Sequence, residues 1–221
     1  ERLELRDLTL RSGDNRVVVA GHADERLDLQ FTLDAPDLAA AYPGLRGDAT
    51  GRGRIGGSRA APTLLASLAG NTIAYDGHRV DSLRLEVDWR GDGGGTGGLT
   101  LAGVRSGETR LDTLTLGLTG TPAEHRVELA TSGPDGATAV TADGGWREAR
   151  WSGRLQRLQL DVPTLGNWQL AAPTALVESL SDFLKLELDE GEIKEAGNHQ
   201  ELLAKNGFYT YLYNVQYKEL V

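Results

Sequence analysis

From Leu27 to Asp34 the chain alternates strictly, with Leu27, Leu29, Phe31 and Leu33 separated by Asp28, Gln30 and Thr32. A side-chain period of two marks a β-strand with one apolar and one solvated face. The alternation returns at Leu83, Leu85, Val87 and Trp89, set among Ser82, Arg84, Glu86 and Asp88. It returns again at Leu114, Leu116 and Leu118, set among Thr113, Thr115 and Thr119, and at Leu158, Leu160 and Val162 within residues 156–162. Further short strands are predicted at residues 3–10, 16–20, 72–75, 99–102, 125–130, 137–142, 151–155 and 168–170. The phase of the first slips between Leu5 and Leu8.

Turn residues separate these segments: Ser12-Gly13-Asp14-Asn15, Asp76-Gly77, Ser132-Gly133-Pro134-Asp135-Gly136 and Asp143-Gly144-Gly145. Gly, Asn and Asp supply the positive φ of tight hairpins, so consecutive strands are expected to pair antiparallel. Only two stretches read as helical, residues 62–68, with Pro62 ahead of Leu64, Leu65 and Leu68, and residues 36–41. About a dozen half-apolar strands in series have two outcomes, a closed sandwich or barrel, or an open curved sheet. The ordinary reading of the Leu/Val/Trp face is a buried core.

Composition divides the chain. All nineteen arginines lie between Arg2 and Arg157, whereas the four lysines are Lys185, Lys194, Lys205 and Lys218. Of the six tyrosines, four fall in the last thirteen residues. The break reads as two joined sequences, a body of residues 1–177 and a tail of 178–221, brought together by a fusion or frameshift rather than as a natural two-part protein. The net charge of −9, with no Lys/Arg cluster, argues against nucleic acid, whose phosphates demand a concentrated basic face. With no cysteine there is no disulfide framework, thiolate metal site or Cys nucleophile. No run of about 18 apolar residues would span a membrane. The lack of a signal-peptide pattern and of any methionine reads as a piece of something longer.

Chemistry-bearing motifs are few. Gly51-Arg52-Gly53-Arg54-Ile55-Gly56 and Gly93-Gly94-Gly95-Thr96-Gly97-Gly98 both satisfy G-x-G-x-x-G, but neither joins a buried strand to a helix whose N-terminus would hold a pyrophosphate. Both are expected to be loops or hairpins. His22, His78, His125 and His199 lack metal-ligand spacing, and no serine sits in G-x-S-x-G. No enzyme activity, cofactor or metal is expected.

The ordered set Leu45-Arg46-Gly47, Gly51 to Gly57, Ala61-Pro62, Ile73 to Gly77 and Val80 to Leu83 resembles the TamB family of AsmA-like envelope proteins. A stronger resemblance lies in Gly120-Thr121-Pro122-Ala123-Glu124-His125, then Trp151-Ser152-Gly153-Arg154-Leu155 and Gly166-Asn167-Trp168-Gln169-Leu170, covering residues 1–176 in all. The resemblance implies a periplasmic protein anchored in the inner membrane by a segment this chain lacks. Its fold would be a taco-like antiparallel sheet with an apolar concave face that conducts phospholipid acyl chains for outer-membrane biogenesis, partnered by a TamA-like outer-membrane barrel. The fourteen alternating residues Leu27 to Leu33, Leu83 to Trp89, Leu114 to Leu118 and Leu158 to Val162 named above are the expected groove lining. At about 4.8 Å per strand, a dozen strands give roughly 55 Å of groove. The same resemblance permits a chaperone-like scaffold that pairs its strand edge with outer-membrane proteins.

The tail resembles something else. Leu188-Asp189-Glu190-Gly191-Glu192-Ile193-Lys194-Glu195-Ala196-Gly197-Asn198-His199-Gln200-Glu201, continuing through Gly207-Phe208-Tyr209, is similar to the end of an ABC exporter nucleotide-binding domain. That resemblance implies a β-hairpin turning at Glu190-Gly191, then one or two helices, with every catalytic ATPase motif missing. The apolar side of Phe208, Leu212 and Val215 would cap the body or drive self-association. An inactive exporter fragment is the third functional reading.

Overall fold

A computed structural model of the chain describes residues 3–147, 150–164, 166–177, 187–189 and 192–195. The strands are β1 (Leu3–Ser12), β2 (Asn15–Ala23), β3 (Arg26–Ala35), β4 (Arg46–Ser58), β5 (Pro62–Tyr75), β6 (His78–Arg90), β7 (Gly95–Ser106), β8 (Thr109–Gly120), β9 (His125–Gly133), β10 (Gly136–Arg147), β11 (Arg150–Val162), β12 (Gly166–Gln169) and β13 (Thr174–Val177). From β1 to β12, spatial order is sequence order and each neighbour is antiparallel. β13 also pairs with β11. The sheet is an open, curved meander that does not close. β14 (Glu187–Asp189) and β15 (Glu192–Glu195) pair antiparallel in a separate two-stranded sheet, with Leu188 opposite Ile193; the turn expected at Glu190-Gly191 lies outside the described residues. The helices expected beyond it lie outside the described residues.

The open curved sheet that the family resemblance implies is the fold observed, and the buried core that periodicity alone would suggest does not form. Among the described residues, the buried apolar side chains are Ala35, Ala66, Ala142 and Leu155. Only one of these is larger than alanine. Among the described residues no second layer covers the sheet, so its apolar face is partly wet and backbone ladders between neighbouring strands carry most of the contacts.

Local irregularities keep the apolar residues in phase. In β1, Arg6 faces Ala20 and Leu8 faces Val19, leaving Asp7 as a bulge with φ +88°. Leu5 and Leu8 thereby share a face, which accounts for the slip in the sequence. A second bulge at Gln156, between Leu155 and Arg157, merges the two predicted strands at 151–155 and 156–162 into β11. On the far edge, β11 takes four steps from Gln159 to Leu155 while its partner takes five from Gln169 to Thr174. β12 and β13 are thus one edge strand interrupted at residues 170–173, where Pro173 has no N–H to donate.

Three expectations are corrected. Residues 62–68 are strand, not helix: Leu64, Ala66 and Leu68 face Ile55, Gly53 and Gly51, while Leu65 points to the other face and is 61% exposed. Apolar residues on both sides of a strand imitate helical spacing, and Pro62 sits at the first strand position, where its missing N–H is tolerated. Gly51 to Gly56 lies inside β4, Gly95 to Gly98 of the second glycine motif opens β7, and Asp143-Gly144-Gly145 lies inside β10, rather than in loops or turns. Glycine here serves close side-chain approach. A Cβ on Gly53 would stand 2.5 Å from Phe31 Cε1, and one on Gly51 would stand 2.7 Å from Leu68 Cδ2.

The helical expectation at 36–41 holds as the single turn α1 (Leu38–Ala41), N-capped by Asp37, whose Oδ1 accepts from Ala39 N–H at 3.1 Å. Buried Asn15 clamps this turn to the β1–β2 hairpin. Its Nδ2 donates to Asp37 O at 2.5 Å and its Oδ1 accepts from Asp37 N–H at 3.0 Å. Asn15→Ala is expected to cost about 1–3 kcal/mol, the penalty for orphaning partly buried polar groups. Thermal melting of the variant checks this.

Candidate functional site

Cross-strand partners in an antiparallel sheet point to the same face, so the register places residues in rows. One row runs Leu10, Val17, Leu33, Gly51, Leu68, Leu85, Leu99, Leu116, Leu129, Val140 and Leu158, from β1 to β11. The next runs Leu8, Val19, Phe31, Gly53, Ala66, Val87, Gly97, Leu118, Val127, Ala142 and Leu155. On one side of these lies a row with Leu29, Ile55, Leu64 and Trp89. On the other lies one with Leu83, Leu101, Leu114, Leu160 and Trp168. All fourteen alternating residues of the sequence analysis share this face, Leu27 opposite Gly57 and Val162 opposite Gly166 at its margins.

The structure adds residues that periodicity alone did not single out, among them Leu8, Leu10, Leu64, Leu68, Leu99, Leu129, Val140 and Leu155. Their signal lies in register, which joins strands too short or too glycine-rich to read singly. The face is apolar yet accessible: Leu116 is 39% exposed, Leu8 45% and Leu10 58%, and most of the remainder are partly exposed.

The opposite face is polar and laced by ion pairs. Arg54 meets Asp28 at 2.9 Å, Arg126 meets Asp143 at 2.6 Å, and Arg90 meets Asp88 at 3.1 Å. Asp81 takes Arg79 at 2.8 Å and Arg105 at 3.7 Å. These pairs are exposed and individually weak. A shallow depression on this face is lined by Leu65, Ser67, Glu86, Asp88 and Thr96, a polar setting unlike the apolar rows. Among the described residues, no group of His, Cys, Asp or Glu is placed to hold a metal, and no helix is long and apolar enough to cross a membrane.

Hydrogen bonds from their arginines hold the carboxyls of Asp81, Asp88 and Asp143 below the usual aspartate range, and Arg90 and Arg126 are raised in turn. A depressed carboxyl stabilises the fold above its unfolded value, about 3.9, and that contribution is lost as pH falls through the lower folded value. The melting temperature is therefore expected to hold from neutrality down to about pH 4 and to decline below it. Asp143→Asn should flatten part of that decline.

The sequence comparisons agree with the geometry. The family model for the TamB N-terminal domain matches residues 1–182. The translocation and assembly module subunit TamB of Haemophilus influenzae is 22% identical over 166 residues, covering 73% of this chain. The chain spans 13% of that relative's length. No solved structure matches. A family match over most of the chain, on a sheet whose apolar rows run from strand to strand, makes this chain a member of the TamB family.

Proposed function

We propose that this chain is a non-enzymatic segment of a periplasmic, inner-membrane-anchored bridge, and that its apolar face conducts phospholipid acyl chains toward the outer membrane. An outer-membrane barrel protein of the TamA kind is the expected partner. The observation that carries this reading is the pair of apolar rows crossing eleven strands while staying accessible. Acyl chains need broad, non-directional contact, because a deep specific pocket would trap a tail that has to slide. Leucine and valine in register supply such contact over roughly 50 Å, at about 4.8 Å per strand. The tail from residue 178 is assigned no ATP hydrolysis in this reading.

A strand-edge scaffold for outer-membrane proteins is the rival. It is less favoured by the edges themselves: β1 carries the Asp7 bulge, and the opposite edge is interrupted at residues 170–173. Bulges and prolines are the usual devices that discourage added strands. Titration of the full chain with a fluorescent phospholipid tests the proposal. Saturable binding that unlabelled phospholipid displaces is expected, whereas folded protein that binds none would sink it.

A further inference from the structure

Two motifs that lipid contact does not explain, Gly120-Thr121 with His125 and Trp151-Ser152-Gly153, meet in the structure. His125 Nδ1 lies 3.1 Å from the Thr121 carbonyl oxygen, and His125 Nε2 lies 2.8 Å from Trp151 Nε1. An indole nitrogen only donates and a carbonyl only accepts. Both bonds therefore coexist only in the neutral imidazole that carries its proton on Nδ1. The turn that presents Thr121 is itself fixed, by Thr121 N–H to Glu124 O at 2.7 Å and Trp146 N–H to Pro122 O at 2.9 Å.

The indole lies over a floor without side chains. Gly144 and Gly153 are cross-strand partners; a Cβ on Gly153 would stand 2.5 Å from Trp151 Cη2, and one on Gly144 would overlap Cζ2. His125 occupies the same row, opposite Gly120 and Gly144. No titratable group from β8 faces it. On its own strand Glu124 is adjacent in the turn, while Arg126 and Glu128 alternate to the polar face, where Arg126 pairs with Asp143 of β10. Arg154 of β11 stands in register with Asp143 on that face. Among the described residues, the switchable charge on this part of the apolar face is His125 itself.

We infer that these motifs form a protonation-sensitive latch, in which neutral His125 holds the Trp151 indole down on Gly144 and Gly153 and protonated His125 releases it. A proton on Nε2 turns the acceptor into a second donor facing the indole N–H, so the bond is lost. Release uncovers the glycine floor at β10–β11. The inference stands whether or not the face carries lipid.

The test replaces Trp89, Trp146 and Trp168 by Phe in the full chain, leaving Trp151 as the fluorophore. Emission and acrylamide quenching are followed between about pH 8 and pH 5, where imidazoles titrate, with far-UV circular dichroism in parallel. The latch predicts a red shift and stronger quenching at unchanged ellipticity, both abolished by His125→Gln. In the unsubstituted chain, the indole N–H resonance assigned by its loss in Trp151→Phe should move and exchange faster as pH falls. A resonance that stays fixed overturns the latch, as does an emission change that survives His125→Gln.

Discussion

Leu85→Asp and Leu116→Asp are expected to reduce phospholipid binding by tenfold or more while leaving the chain folded. Both side chains stand in the row that crosses eleven strands. An aspartate there must either be desolvated against acyl chains or keep the chains away, and desolvating an unpaired carboxylate costs several kcal/mol. Each 1.4 kcal/mol is a factor of ten in affinity, so about tenfold is the lower bound of the effect. Stability should fall much less, because Leu116 is already 39% exposed and Leu85 partly so. Thr115→Asp places the same charge on the same strand but on the polar face, and binding should stay at the unsubstituted level. Equal losses from Thr115→Asp and Leu116→Asp would mean that net charge, not the apolar face, governs binding.

Gly53→Val is expected to destabilise the sheet by about 1–3 kcal/mol, the usual cost of forcing volume into an occupied site. The new Cβ would stand 2.5 Å from Phe31 Cε1 and 2.7 Å from the Leu65 carbonyl oxygen, and the backbone atom cannot move aside cheaply. Gly98→Val is the contrasting case. Its Cβ would meet nothing within 4 Å, and valine suits an extended strand, so the variant should match or exceed the parent in stability. Denaturant melts of the two variants separate glycine that makes room for an aromatic ring from glycine that is merely present. If both are neutral, the packing of Phe31 over β4 is not what the glycine secures.

How much was legible depended on whether a strand announces itself alone. In β3, β6 and β8 large apolar residues alternate with polar ones without interruption, and those strands, the face their apolar residues share and the mainly β class follow from the sequence. β4 was hidden because Gly51 and Gly53 stand where leucines would mark the apolar face, their place filled by Phe31 and Leu68 from the neighbouring strands. β5 was hidden because Leu65 on the polar face broke the alternation. The bulges at Asp7 and Gln156 added single residues that look like phase errors until pairing shows the apolar side chains still aligned.

The rows could not be read from any one segment, since they exist only once register is fixed. Openness was invisible in the periodicity and entered only through the family resemblance, because an apolar face bound for a closed core and one left accessible have the same period. The His125–Trp151 contact was legible only as two separate motifs, since nothing in their 26-residue separation says that the side chains touch.

The most direct measurement is photo-crosslinking with a phospholipid that carries a diazirine at the end of one acyl chain, with adducts mapped by mass spectrometry. Adducts concentrated on Leu33, Leu68, Leu85, Leu116, Leu129 and Leu158 and their row neighbours are the predicted result. Adducts on Ser67, Glu86, Thr115 and the rest of the polar face, or confined to the edge strands β1 and β12, would contradict it.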